Sequence, residues 1–130
     1  MTAARALSPL QIDCLLVAVL ATYSYPLDKA WALREAMRRQ GLGELAKVAT
    51  SSVEQVGNQL KAAGYDRGGI NYILAPRLIA LAKDAEAGAL AKLPQLVSTR
   101  AKDEAITLLE SLHGFGPKAA ELAWQLLATG

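Results

Sequence analysis

Apolar residues recur three and four positions apart in several stretches of this chain, and glycine or proline separates one stretch from the next. This spacing places apolar side chains on one face of an α-helix. The composition agrees, because 25 Ala and 22 Leu stand against 11 Ile plus Val in 130 residues. Ala and Leu favour helices, whereas β-branched and aromatic residues favour strands. We therefore predict an all-α fold, a compact orthogonal bundle of about six to seven helices in a single domain, residues 1–130.

Capping residues predict where the first helices begin. Ser8 is a good cap and Pro9 suits the first helical position, so we expect a first helix over about residues 9–22. Asp28 is expected to cap a second helix that ends at about Gln40.

The second half of the chain carries similar signals. Ser51 and Glu54 have the spacing of a capping box, which predicts a helix that ends before Gly64. A long helix follows, in which Pro76 predicts a kink or a late start. We expect these later helices to cover about residues 69–87, 100–111 and 117–128.

Charge, cysteine content and apolar run length exclude several classes of function. The net charge of +2 is too small to indicate a polyanionic partner, so nucleic-acid binding would require a local site. With Cys14 as the one cysteine and His113 as the one histidine, neither a zinc site nor an iron–sulfur cluster is expected. The longest apolar run, 14–21, is far below the roughly 20 residues of a membrane span, and the start lacks the pattern of a signal peptide. We therefore expect a cytoplasmic protein with no membrane partner.

The most informative segment lies near the end, where a helix containing Leu112 runs into the residues H-G-F-G and a second helix begins at Pro117. Gly114 and Gly116 permit close approach of another molecule to the backbone, and Phe115 can insert into the core. The amides that open the second helix, with Lys118 beside them, favour an anion, most simply a phosphate.

This segment resembles the helix-hairpin-helix motif, whose usual form is L-P-G-V-G-x-K-x-A, over about residues 101–128. Histidine replaces the usual proline and phenylalanine the usual valine, while the residues that match are Leu112, Gly114, Gly116, Lys118 and Ala120. In that family the hairpin grips the DNA backbone without reading sequence, often with a monovalent cation on its carbonyls. The resemblance therefore implies DNA binding through His113, Gly114, Phe115, Gly116 and Lys118. A two-helix corner formed for packing alone is the alternative.

Over about residues 9–128, the order of the predicted helices is similar to that of the endonuclease III-like DNA glycosylases of base-excision repair. In the bifunctional members of that family, Lys118 would fall on the lysine that forms a Schiff base with the sugar. The resemblance also implies a second phosphate contact at Arg67 and Gly68. In the loop after the first helix this chain departs from the family, which often has a glutamine there; Tyr23 and Tyr25 in this loop can stack on a base or act as a wedge in the duplex.

Three functions remain open. The family's partner aspartate lies beyond the second hairpin helix and has no counterpart before Gly130, so we expect DNA binding without a complete catalytic pair. The second function is an active glycosylase or abasic-site lyase that uses Lys118. The third is a dimerisation module. If the protein is catalytic, the missing carboxylate would come from another subunit or from Asp103, Glu104 or Glu121. If it is a dimerisation module, the subunits would meet through an exposed apolar patch formed by Trp124, Leu126 and Leu127.

Each candidate residue also has a simpler interpretation that requires no function. Lys118 can be a solvated residue paired with Glu121, and His113 a plain loop residue. Tyr23 and Tyr25 can be packing residues, and Cys14 an inert core thiol. A solvated basic face is the simplest interpretation of Arg34, Arg38 and Arg39.

Overall fold

The computed structural model describes residues 7–113 and 115–129, and every regular element in these two ranges is an α-helix. The all-α prediction is confirmed. No helix in these ranges is both long enough and apolar enough to cross a bilayer. The helices are α1 (Pro9–Leu20), α2 (Leu27–Ala32), α3 (Arg34–Arg39), α4 (Leu45–Val48), α5 (Val53–Ala62), α6 (Gly69–Glu86), α7 (Leu93–Ser98), α8 (Lys102–Glu110) and α9 (Pro117–Thr129).

Helix α1 lies at the centre of the core. It starts as predicted, with Pro9 as its first residue and Ser8 as its cap. The Ser8 hydroxyl accepts a hydrogen bond from the Gln11 amide, and the Gln11 side chain accepts one from the Ser8 amide. Every residue from 13 to 20 is buried, because α1 packs against α2, α6 and α9. A helix covered on all sides has the position expected of a central core element.

The described part of the chain has nine helices, two more than the upper end of the prediction. The predicted second helix is divided into α2 and α3 at Leu33. The Leu33 amide donates a hydrogen bond to Ala30 O, three residues back rather than four, at 3.1 Å. Asp28 lies in the first turn of α2, whose cap is Pro26, so the capping role predicted for Asp28 is wrong. The second additional helix is α7, a short helix in the stretch between the helices predicted over residues 69–87 and 100–111.

The basic residues of α3 do not all form a solvated face. Arg38 binds the carboxylate of Asp13, a side chain of α1 that is only 2% exposed, through both Nε and Nη2. This hydrogen bond and the charge of Asp13 raise the pKa of Arg38. Arg34 stacks on Trp31 with its guanidinium carbon 3.9 Å from the ring centroid. Only Arg39, exposed and 3.8 Å from Glu35, fits the predicted solvated face. The Asp13–Arg38 pair therefore attaches α3 to α1.

The capping box of α5 is displaced by one residue from its predicted position. Ser52 is the cap, and its partner is Gln55. Ser51 instead donates its hydroxyl to Lys47 O of α4 at 2.8 Å. Two serines precede the helix, and Ser52 has the extended backbone of a cap, with φ −82° and ψ 162°.

Helix α6 begins at Gly69 and continues past Pro76 to Glu86, so the late start that Pro76 predicted is wrong. The turn before it is organised by Asn71, which is buried. Its Oδ1 accepts from the Arg67 amide at 2.9 Å, and its Nδ2 donates to Tyr65 O at 2.5 Å and to Gly57 O at 3.3 Å. A single buried amide thus attaches the turn to α5 and α6.

Tyr65 attaches the same turn to α1. Its side chain is completely buried, and its hydroxyl donates to Leu20 O at the end of α1, 3.1 Å away. Burial raises the pKa of Tyr65, and the neighbouring Arg67 partly offsets that effect.

Replacement of Tyr65 by Phe should therefore lower the free energy of unfolding by about 1–2 kcal/mol, because the buried Leu20 carbonyl loses its donor. The matched control is Tyr72→Phe. Tyr72 also uses its hydroxyl, on Asn58, but its side chain is exposed, so the cost should stay within about 0.5 kcal/mol. Urea denaturation measures both values, and equal costs would contradict the assigned role of Tyr65.

Candidate nucleic-acid interface

The terminal turn, residues 111–113 and 115–116, joins α8 to α9. Gly114 lies outside the described residues, so its predicted contact with DNA has no structural description. Phe115 is 7% exposed and its amide donates to Leu112 O at 3.2 Å, which confirms that this side chain inserts into the core. Helix α9 begins at Pro117, as predicted.

The first turn of α9 is open. Apart from its chain neighbours, no atom of the described residues lies within 4 Å of a methyl group built on Gly116, and both Pro117 and Lys118 are exposed. The Ala120 amide donates a hydrogen bond to Gly116 O at 3.0 Å. Helix geometry leaves the two preceding amides, those of Lys118 and Ala119, without an acceptor inside the helix. This first turn contains no acidic residue. Ala119 is buried, so the donors of the exposed residue here are the Lys118 amide and the Lys118 ammonium group, at the positive end of the helix dipole.

Asp84 of α6 holds the terminal turn through His113. One carboxylate oxygen accepts from the His113 amide at 2.8 Å, and the other lies 2.9 Å from His113 Nδ1. The Asp84 side chain is 15% exposed and that of His113 82%. A proline at this position would have no amide to donate, so the contact requires a residue other than proline. His113 is consequently an anchoring residue rather than the plain loop residue of the simpler interpretation.

The same carboxylate places a negative charge beside the turn. Asp84 thus opposes an incoming phosphate. The sequence offered no signal for Asp84, which lies 29 positions before His113.

A second group of side chains, the tyrosine–arginine cluster, consists of Tyr23, Tyr25, Tyr65, Arg67 and Arg77. Arg67 Nη1 donates to Tyr23 O at 2.6 Å and contacts the Tyr65 hydroxyl at 3.3 Å. Arg77 Nη2 donates to the Tyr23 hydroxyl at 3.1 Å, and its guanidinium carbon lies 5.2 Å from the Tyr23 ring centroid. Tyr25 packs its ring edge-on against Tyr65, with 4.8 Å between centroids.

These contacts restrain the two loop tyrosines. Tyr23 is held at its carbonyl by Arg67 and at its hydroxyl by Arg77, while Arg67 also lies 5.4 Å from the centroid of Tyr25. Both tyrosines remain partly exposed. They are therefore packing residues with an accessible portion, and movement as a wedge would break these contacts.

The cluster and the terminal turn lie along one side of α6. Arg77 and Asp84 are seven residues apart, which is two helical turns, or about 10 Å along the axis. The open backbone at Gly68, whose φ is +62°, lies next to Arg67, and a methyl group on Gly68 or Gly69 would meet nothing within 4 Å. Arg77 and Asp84, which contact the two regions, therefore lie on one face of α6, and neither residue was identified from the sequence.

Other candidate groups lie apart from this surface or are already engaged. Glu121 pairs with Lys102 at 3.7 Å, so the predicted Lys118–Glu121 pair is not formed. Asp103 and Glu104 are in the first turn of α8, where they line a cleft of about 530 Å³. Within the described ranges, no three His, Cys, Asp or Glu side chains are grouped closely enough to bind a metal ion.

Cys14 has the environment of an inert thiol. It is 1% exposed, and burial raises its pKa to about 11. A thiol in this state is a poor nucleophile at neutral pH.

The apolar patch expected on α9 is largely covered. Trp124 and Leu127 are buried, because α9 packs against α1, and the expectation that they are exposed is wrong. Leu126 remains half-buried and lines an apolar cleft of about 520 Å³ together with Leu10 and Trp31.

Removal of the Asp84 carboxylate should loosen the terminal turn. In Asp84→Ala the His113 amide loses its acceptor, so its hydrogen exchange, measured by NMR, should accelerate by about tenfold or more. Lys83→Ala changes the exposed neighbouring residue and should leave that rate unaltered. Unchanged exchange in Asp84→Ala would show that the carboxylate does not hold the turn.

Comparison of the chain with family models, curated proteins and solved structures finds no significant match. The resemblance to the helix-hairpin-helix glycosylases therefore depends on the motif residues and on the order of the helices.

Proposed function

We propose that this protein binds the DNA backbone through the terminal turn and the first turn of α9, without a complete catalytic pair. The observation that carries the proposal is the open start of α9, where Lys118 is exposed beside backbone amides that have no intrahelical acceptor. Phe115 fixes this start to the core, so the donors are held in place before a phosphate arrives.

Such a site is expected to recognise phosphate rather than base edges. Backbone amides and one ammonium group make contacts that carry no sequence information, and they depend on salt because binding releases counterions. With an overall charge of only +2, the attraction must be local. The Asp84 carboxylate further reduces it, so we expect modest affinity.

A second contact is proposed at the turn before α6, where the exposed backbone of Gly68 adjoins the guanidinium of Arg67. Tyr23 and Tyr25 border this turn and are partly exposed, so they can pack against the sugar or a base.

Binding is favoured over cleavage by the surroundings of Lys118. A lysine that attacks a sugar must be neutral, which requires burial or a neighbouring cation. Lys118 is exposed, and Glu121, one of the candidate carboxylates, pairs with Lys102 instead. The dimer proposal loses its main support because Trp124 is buried within the chain.

Fluorescence anisotropy with a labelled DNA duplex tests the proposed function. Lys118→Ala should weaken binding at low salt by about 3- to 10-fold and reduce the magnitude of the slope of log affinity against log salt by about one. Lys61→Ala, which removes an exposed lysine near the end of α5, is the matched control and should behave as the native protein.

Measurements at about 50 mM and about 200 mM salt give both quantities. The proposal would be falsified if the native protein failed to bind at the lower salt concentration, or if Lys118→Ala and Lys61→Ala bound equally well.

A further inference from the structure

The tyrosine–arginine cluster holds two guanidinium groups on one residue, Tyr23. Arg67 bonds the carbonyl of Tyr23, and Arg77 bonds its hydroxyl. Both arginines are half-buried. Two positive charges are therefore held at opposite ends of one tyrosine, partly out of water, where charges interact more strongly than at the exposed surface.

No carboxylate among the described residues compensates these charges. Within the described ranges, no Asp or Glu oxygen lies within 4.0 Å of a nitrogen of either arginine. Arg38, by contrast, pairs with Asp13, and Lys102 pairs with Glu121, whereas Arg34, which is also half-buried, stacks on Trp31. Part-buried charges are normally paired, so the cluster has the composition of a site that an external anion completes.

The arginines also retain donors suited to a phosphate. A guanidinium has five N–H donors in a planar arrangement that matches two phosphate oxygens. Arg77 uses Nη2 for its hydrogen bond to the Tyr23 hydroxyl. Arg67 uses Nη1 for both of its contacts, to Tyr23 O and to the Tyr65 hydroxyl. The other nitrogens of both groups are directed at no acceptor in the described part of the chain. The contacts to Tyr23 restrict the guanidiniums, which reduces the entropy lost on binding.

We propose that Arg67 and Arg77 together form a second phosphate site, in which Arg77 is a DNA-backbone ligand in addition to the residues of the terminal turn. This inference rests on the proposed function. Arg77 and Asp84, which contact the two regions, are about 10 Å apart along α6, so a single phosphate group does not span both. The two sites thus fit separate phosphates of one DNA molecule, and the ligand is a polynucleotide rather than a single nucleotide.

Arg77→Gln tests the assignment, because glutamine keeps a donor for Tyr23 but removes the charge. With the same labelled duplex, it should weaken binding about 3- to 10-fold and reduce the magnitude of the salt slope by about 0.9, the contribution of one phosphate contact. Arg39→Gln, at an exposed arginine of α3, is the matched control and should change neither quantity.

The outcomes separate the two proposals. If Lys118→Ala weakens binding while Arg77→Gln matches Arg39→Gln, the second site is wrong and the proposed function stands. A weaker affinity with an unchanged salt slope would also overturn the second site, because it would mean that Arg77 only positions Tyr23. Absence of binding by the native protein would overturn both.

A second variant covers the case in which Arg77→Gln does not fold. Arg77→Lys keeps the charge and loses the planar donor group, so it should retain the native salt slope while binding more weakly. A reduced slope in Arg77→Lys would contradict the proposal. Circular dichroism melting of each variant establishes that the folded protein is being compared.

Discussion

Burial of α1 on all sides is the constraint on which the rest of the structure depends. Eight consecutive residues, 13–20, are buried, and each fully buried leucine in this helix contributes about 1.5–3 kcal/mol. Three partners are fixed to α1 by different means. Helix α9 packs on its apolar surface, Arg38 of α3 pairs with its Asp13, and Tyr65 bonds the carbonyl of Leu20 at its end.

The proposed interface follows from this arrangement. Because Tyr65 is fixed to the end of α1, Arg67 two residues later reaches the loop that leaves α1 and bonds Tyr23 O. Helix α6 then carries Arg77 to the other end of Tyr23 and Asp84 to the terminal turn. Two regions that are distant in sequence are thereby contacted from one face of α6. Their side chains are restrained before any ligand is present, which favours binding over rearrangement.

Local signals were sufficient to predict much of the fold from the sequence. Residues adjacent in sequence determine several helix starts: Ser8 and Pro9 begin α1, a glycine precedes α6, and a proline begins α9. The burial of Phe115 was predicted from its place between two glycines. Errors of register also had local causes. Either of two adjacent serines can cap α5, and the break at Leu33 has no glycine or proline to mark it.

The contacts that define the candidate site could not be predicted in this way. Arg38 and Asp13 are 25 positions apart, His113 and Asp84 are 29 apart, and Arg77 and Tyr23 are 54 apart. Neither helical periodicity nor capping patterns contain information on such pairs, because they form only when the helices pack. The burial of Trp124 was missed for the same reason, because α9 packs against α1, which lies at the opposite end of the chain, as well as against α8.

An NMR titration of the labelled protein with unlabelled duplex DNA tests the central claim most directly. The account predicts that the amides of Phe115, Gly116 and Lys118 and the side-chain signals of Arg67 and Arg77 shift together. Shifts confined to the cleft lined by Leu10, Trp31 and Leu126, or no shifts at all, would contradict it.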